Sequence, residues 1–158
     1  MQQTRIAKLE NEILNWMAKN GITLLRISIG IIFLWFGFQK FFPGISSAED
    51  IATRTIDVIS LGVVKSPFSM PILATWETLI GLGFLTGKFM RATFILMILQ
   101  MAGTLFPLLV FPQETFHFPP FVPSLEGQYI LKNIIIITGA MVILAHSRGK
   151  IISKENNK

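Results

Sequence analysis

The stretch GITLLRISIGIIFLWFGFQKFF, residues 21–42, decides the fold: it is apolar throughout except for Arg26, Gln39 and Lys40 and a few small polar residues. At 1.5 Å per residue it is long enough to cross the hydrocarbon layer of a bilayer. Its exceptions are ordered. Arg26, Gly30, Phe33, Gly37 and Lys40 recur at alternating intervals of four and three, which at 100° per residue keeps them within about 40° of one line. One helix face therefore gathers the charges and the small residues, and the remainder is left for lipid.

Three further stretches have the same character, residues 70–87, 92–111 and 129–146. Four spans of roughly 20 residues each need about 80 apolar side chains, and a chain of 158 residues that is 51% hydrophobic supplies them. Only 15% of the residues are charged, against roughly 25% in soluble domains, and the mean hydropathy is +0.58. The expected fold is an all-α integral membrane protein, a four-helix bundle spanning residues 21–146. The chain contains no cysteine, which removes disulfides, thiolate metal sites and thioether-linked haem. The net charge of +5 reads as basic residues flanking spans, and nucleic acid is excluded as a partner.

Arg5, Lys8, Lys19, Lys88, Arg91, Arg148, Lys150, Lys154 and Lys158 fall on one side of such a bundle, and only Arg54 and Lys65 on the other. Positive loops resist translocation, so both termini are expected in the cytoplasm and the chain in a bacterial inner membrane. The first span is expected to stay uncleaved, because it is too long for a leader and carries Arg26. Residues 1–20 read as an amphipathic helix on the inner leaflet, with Ile6, Leu9, Ile13 and Met17 on one face. Ser47 and Asp50 resemble a capping box opening a helix on the outer surface that includes Ile51, Val58, Ile59 and Val63. Pro112, Pro119, Pro120 and Pro123, interleaved with Phe116, Phe118 and Phe121, predict a lid of irregular backbone. Residues 147–158 are expected to form a frayed cytoplasmic tail.

Each remaining span also has a polar stripe: Glu77, Gly81, Phe84 and Lys88 on the second, Thr93, Gln100, Thr104 and Pro107 on the third, Lys132, Ile136, Gly139, Ile143 and His146 on the fourth. Intramembrane charges turn inward and glycines let helices approach, so the stripes are expected to face one another. Glu77 lies about 10 Å below the outer boundary and needs a partner there. Lys40, about 3 Å deep, and Lys132, about 5 Å deep, are both expected to reach it, with Thr104 at the same level. Such a cluster is either a lock between helices or a small site for a polar head group or an anion. Arg26 is an inner-side charge within reach of the headgroups.

The pattern R-x3-G-x2-F-x3-G-x2-K at Arg26–Lys40, then Glu77 with Gly81 and Gly87, then G-x-Y-x2-K-N at Gly127–Asn133, resembles the DoxX-like membrane proteins. The long first outer segment and the proline-rich loop before Leu125-Glu126-Gly127 resemble the YkgB branch, which includes an inner-membrane reactive-chlorine-resistance protein. That branch commonly carries aspartate where this chain has Asn133, so a proton-carrying role is not carried over to that position. The resemblance implies a four-helix inner-membrane bundle. Its name member is a small subunit of a thiosulfate:quinone oxidoreductase. Arg26, Lys40, Glu77 and Lys132 are the positions that match.

No metal-ligand motif, phosphate loop, nucleophile elbow or dinucleotide fingerprint is present, and His117 and His146 lie at opposite ends of the bundle. No covalently bound cofactor is expected, and no catalytic residue is assigned. The candidate site is Lys40, Glu77, Thr104, Lys132 and Asn133, with Trp76 as the side chain that flanks a quinone ring. The expected role is a quinone- or redox-associated accessory subunit linked to oxidative or sulfur stress, non-catalytic by itself and served by a redox partner protein. A small ion or anion transporter, working as a homo-oligomer, and a non-catalytic assembly factor are the alternatives.

Overall fold

The computed structural model describes residues 2–150. Helix α1 (Gln2–Gln39) is followed by α2 (Glu49–Ile59), α3 (Ser69–Thr86), α4 (Met90–Leu105), two single turns α5 (Pro107–Val110) and α6 (Pro112–Thr115), and a small antiparallel hairpin of β1 (Phe116–Phe118) and β2 (Val122–Pro123). The last elements among the described residues are α7 (Leu125–Leu131) and α8 (Asn133–Ser147), joined by Lys132 alone. The long helices close a ring: α1 packs most extensively on α3, α3 on α4, and α8 on both α4 and α1. One end of this ring, the loop end, carries α2 and α5–α7; the other, the turn end, carries the tight α3–α4 connection and the end of α8.

The outside of the bundle is as apolar as its core. Ile31, Trp35, Phe36, Phe38, Leu79, Leu82, Ile95, Leu99, Ile134, Ile135, Met141 and Val142 are all exposed, a surface that suits acyl chains and not water. Inside, Ile29, Phe33, Ile80, Phe84, Met97, Met101, Ala140 and Ile143 form one cluster, in which the Phe33 and Phe84 rings stack with centroids 6.4 Å apart. With no water in a bilayer core, a helix satisfies its own backbone groups, and packing decides the rest.

Three helical stretches are long and apolar enough to cross a membrane: Arg5–Gln39, Met90–Val110 and Leu125–Ser147. The second stretch expected to do so, now α3, is outside that set. Its 18 residues include Pro71, Thr75, Glu77, Thr78 and Thr86, which lower its hydropathy relative to its neighbours.

Other expectations need correction. The division at residue 20 has no counterpart in the backbone, because α1 runs unbroken through Gly21. The fourth stretch opens at Leu125 rather than Tyr129, since Ser124 caps it by accepting the Gly127 N–H at 3.2 Å. The proline-rich segment holds two helical turns and a hairpin. Pro107 and Pro112 each open a turn, where a missing N–H costs nothing and the fixed φ fits. No capping box forms at α2: Ala48 stands at the cap without a side-chain bond, and the Glu49 carboxylate accepts the Gly44 N–H at 2.6 Å instead. Of the expected tail, residues 151–158 lie outside the described residues.

Glycine sets the closeness of α1 and α3. A Cβ at Gly81 would lie 2.6 Å from the Leu34 backbone nitrogen and 3.0 Å from the Gly30 carbonyl, so neither helix can give way without separating. Gly81→Ala is expected to destabilise the protein by about 1–3 kcal/mol in detergent or nanodisc unfolding. Gly21→Ala, whose Cβ meets nothing within 4 Å, should leave stability unchanged or slightly raise it.

Candidate functional site

Glu77 faces the middle of the ring from α3, 6% exposed. Its two oxygens are divided between two helices. The Lys40 ammonium, at the end of α1, donates to Oε2 at 2.6 Å, and the Gln100 amide, on α4, donates to Oε1 at 2.9 Å. The Lys40 and Glu77 side chains are 10% and 9% exposed, so the charges are desolvated together. Gly37 permits this, because a Cβ there would stand 2.9 Å from the Glu77 Cβ and 3.0 Å from the Thr78 nitrogen.

Two hydrogen-bonding capacities are left over. Gln100 Oε1 is buried and has no partner among the described residues. Lys40, with three N–H donors, spends one on Glu77 and a long one of 3.4 Å on the Phe36 carbonyl, which leaves the third. The site thus offers an acceptor and a donor on either side of a satisfied carboxylate. Close by, the Trp76 indole N–H donates to the Leu96 carbonyl at 3.0 Å, one turn from Gln100, and so fastens α3 to α4.

The other residues singled out in the sequence lie elsewhere. Lys132 is exposed and forms no ion pair with Glu77; its ammonium sits over the Tyr129 ring, 4.7 Å from the centroid, three residues back along the chain. Thr104 donates to the Gln100 carbonyl of its own helix at 3.0 Å, and Asn133 is half-buried. Arg26 turns to α3: its guanidinium donates to the Phe84 carbonyl and, at 2.9 Å, to the Leu85 carbonyl. Those carbonyls belong to the last turn of α3, which ends on Gly87 with φ 68°, so a cation from α1 meets the negative end of the α3 dipole. Gln100 belongs to the third polar stripe, and that stripe is the signal that pairs it with Glu77.

A second polar group ties the loop end. Arg54 on α2 donates to Asp50 one turn earlier at 2.7 Å and to both carboxylate oxygens of Glu114, with Nη1 at 2.7 Å from Oε1. Its guanidinium also lies 4.8 Å from the centre of the Phe111 ring. The Arg54 hydrogen bonds hold the Glu114 carboxyl below the usual carboxylate range, and Glu114 in turn raises Arg54. Sixty residues separate this pair, and no local pattern announces it.

These features define a class: a multi-pass α-helical membrane protein whose polar side chains are paired between helices inside the bundle. Residues 21–110 match the sequence profile of the DoxX family. The match covers more than half of the chain, from Arg26 through Lys40, Trp76, Glu77 and Gln100, and the chain belongs to the DoxX family. No curated protein and no solved structure matches it.

Removing one partner from a buried pair leaves the other charge uncompensated. Lys40→Met is therefore expected to cost about 3 kcal/mol or more, and Lys40→Met combined with Glu77→Met markedly less than the sum of the two single changes, read by unfolding in nanodiscs. At the loop end, Glu114 binds its proton more weakly in the folded chain than in the unfolded one. Its contribution to the Arg54 clasp is complete above the ordinary carboxylate range and is lost as pH falls through the depressed value. The hydrogen-exchange protection factors of residues 112–124, with the intrinsic pH dependence of exchange divided out, should fall on acidification in the native chain, and Glu114→Gln should flatten that dependence.

Proposed function

We propose that the chain is a four-span subunit of a bacterial inner membrane, with both termini in the cytoplasm, that holds a quinone head group at Lys40, Glu77 and Gln100 for a redox partner protein. The observation that carries the reading is the buried, unpartnered Gln100 Oε1 beside a fully partnered Glu77. A hydroxyl of the reduced head group fits that acceptor, and a carbonyl of the oxidised one fits the remaining Lys40 donor. The Lys40–Glu77 pair orients the donor, and the apolar surface of Phe68, Ile72, Trp76 and Leu79 on the lipid side of α3 suits an isoprenoid tail. A quinone supplies electron carriage within the bilayer, and the redox centre belongs to the partner.

Four spans are supported by the ring of packing around α3. At 18 residues α3 is about 27 Å long, close to the roughly 30 Å of hydrocarbon, and it is sheltered by α1 and α4. The orientation is supported by Arg5, Lys8, Lys19, Lys88, Arg91, Arg148 and Lys150, which all belong to the turn end. The resemblance to the YkgB branch supports a link to oxidative stress. Against this stands a purely structural lock, favoured by the donor that each Glu77 oxygen already has.

Quinone content distinguishes the two. Protein purified from native membranes into nanodiscs is expected to retain ubiquinone or menaquinone well above the level of empty nanodiscs. Gln100→Leu, which also strips the buried Glu77 Oε1 of its donor and so lowers the unfolding midpoint, is expected to lose at least tenfold in affinity for a photoactivatable quinone analogue, about 1.4 kcal/mol, when labelled under conditions where circular dichroism shows it still folded. Quinone no higher than in empty nanodiscs, or equal labelling of native protein and Gln100→Leu, would leave the lock as the role of the site.

A further inference from the structure

A single apolar stripe is left uncovered at the start of α1. The helix has 38 residues and is about 57 Å long, while the hydrocarbon layer takes up about 30 Å. The surplus lies at its N-terminal end, where every residue from Arg5 to Lys19 is exposed. Ile6, Leu9, Ile13 and Trp16 are each more than half exposed. They recur at intervals of three, four and three, and the next interval of four falls on Asn20.

That is a heptad seam, with Ile6, Ile13 and Asn20 at a and Leu9 and Trp16 at d. We infer that this segment pairs with the same segment of a second copy in a short parallel coiled coil at the turn end of the bundle. Two copies in one bilayer share one orientation, which fixes the coil as parallel and confines both helices to the same plane, raising their effective concentration. In a parallel coil the g position of one helix meets the following e position of its partner. Here those positions are Arg5 and Glu10, opposite charges that pair in both directions across the twofold axis. Asn20, whose amide now donates to the Trp16 carbonyl of its own helix at 2.9 Å, falls at an a position, where a polar residue selects register and the dimeric state.

Glu10 also argues against the lipid surface as the occupant. It lies in the apolar arc, beside the groove of Ile6, Leu9, Ile13 and Leu14. A helix laid flat on the leaflet would press this carboxylate toward acyl chains, whereas a partner helix brings it an arginine.

Because the chain has no cysteine, single-cysteine variants of the full protein test the seam in intact membranes under oxidation. Leu9→Cys and Ile13→Cys are expected to form disulfide-linked dimers, and Asn11→Cys, on the opposite face, to stay monomeric. In the Ile13→Cys background, Glu10→Arg should lower cross-linking several-fold and adding Arg5→Glu should restore it. Cross-linking that is absent at positions 9 and 13, or equal at 9, 11 and 13, overturns the inference. So does strong quenching by brominated lipid of a fluorophore attached at position 13, which would lay this face in the bilayer.

Discussion

A carboxylate placed in a low-dielectric interior must be met by a donor or leave it, and that constraint organises this bundle. Glu77 has its donors on both neighbouring helices: Lys40 from α1 and Gln100 from α4. Each contact requires the helices to stand close, and Gly30, Gly37 and Gly81 make room between α1 and α3. The charge thus gives α1, α3 and α4 one mutual register, which dispersion among interchangeable leucines and isoleucines would define only weakly.

The same helix holds α3 at a second level. Arg26 lies 14 residues before Lys40 in α1, about 21 Å along the axis, and its guanidinium meets the last carbonyls of α3. An antiparallel neighbour gripped at its middle by Lys40, just past the end of α1, and at its last turn by Arg26 resists both sliding and rotation. Between the grips the contact is apolar, with Phe33 stacked on Phe84. The arrangement lets α3 carry its carboxylate inside the bundle, because Glu77 meets donors from both neighbouring helices while Leu79 and Leu82 face outward.

Spacing alone made much of this legible. The interval pattern from Arg26 to Lys40 fixes one face of α1, and the stripes on the second and third spans bring Glu77 and Gln100 toward it. Depth along the helix axis suggested Lys132 as a second partner for Glu77, but depth says nothing about rotation, and Lys132 is turned to Tyr129 on its own stretch of chain. The intervals place Arg26 both on the inward stripe and within headgroup reach, and its actual partner, a helix end that lacks donors, cannot be seen in a list of residues. The Arg54–Glu114 clasp was invisible for a related reason: it depends on how α2 and the proline turns fold back on each other. Those turns stand where the proline count predicts irregular backbone, since proline at the first position of a helical turn is compatible with helix while proline further in is not.

The most direct measurement of the account is the separation of the Lys40 side-chain nitrogen and the Glu77 carboxyl carbon, by dipolar recoupling solid-state NMR on labelled protein in lipid bilayers. Direct N–O contact, as in the 2.6 Å ion pair, predicts strong dephasing between the two sites, lost when Lys40 is replaced. Dephasing too weak for contact in the native protein would contradict it, and with it the claim that this pair sets the register of the bundle.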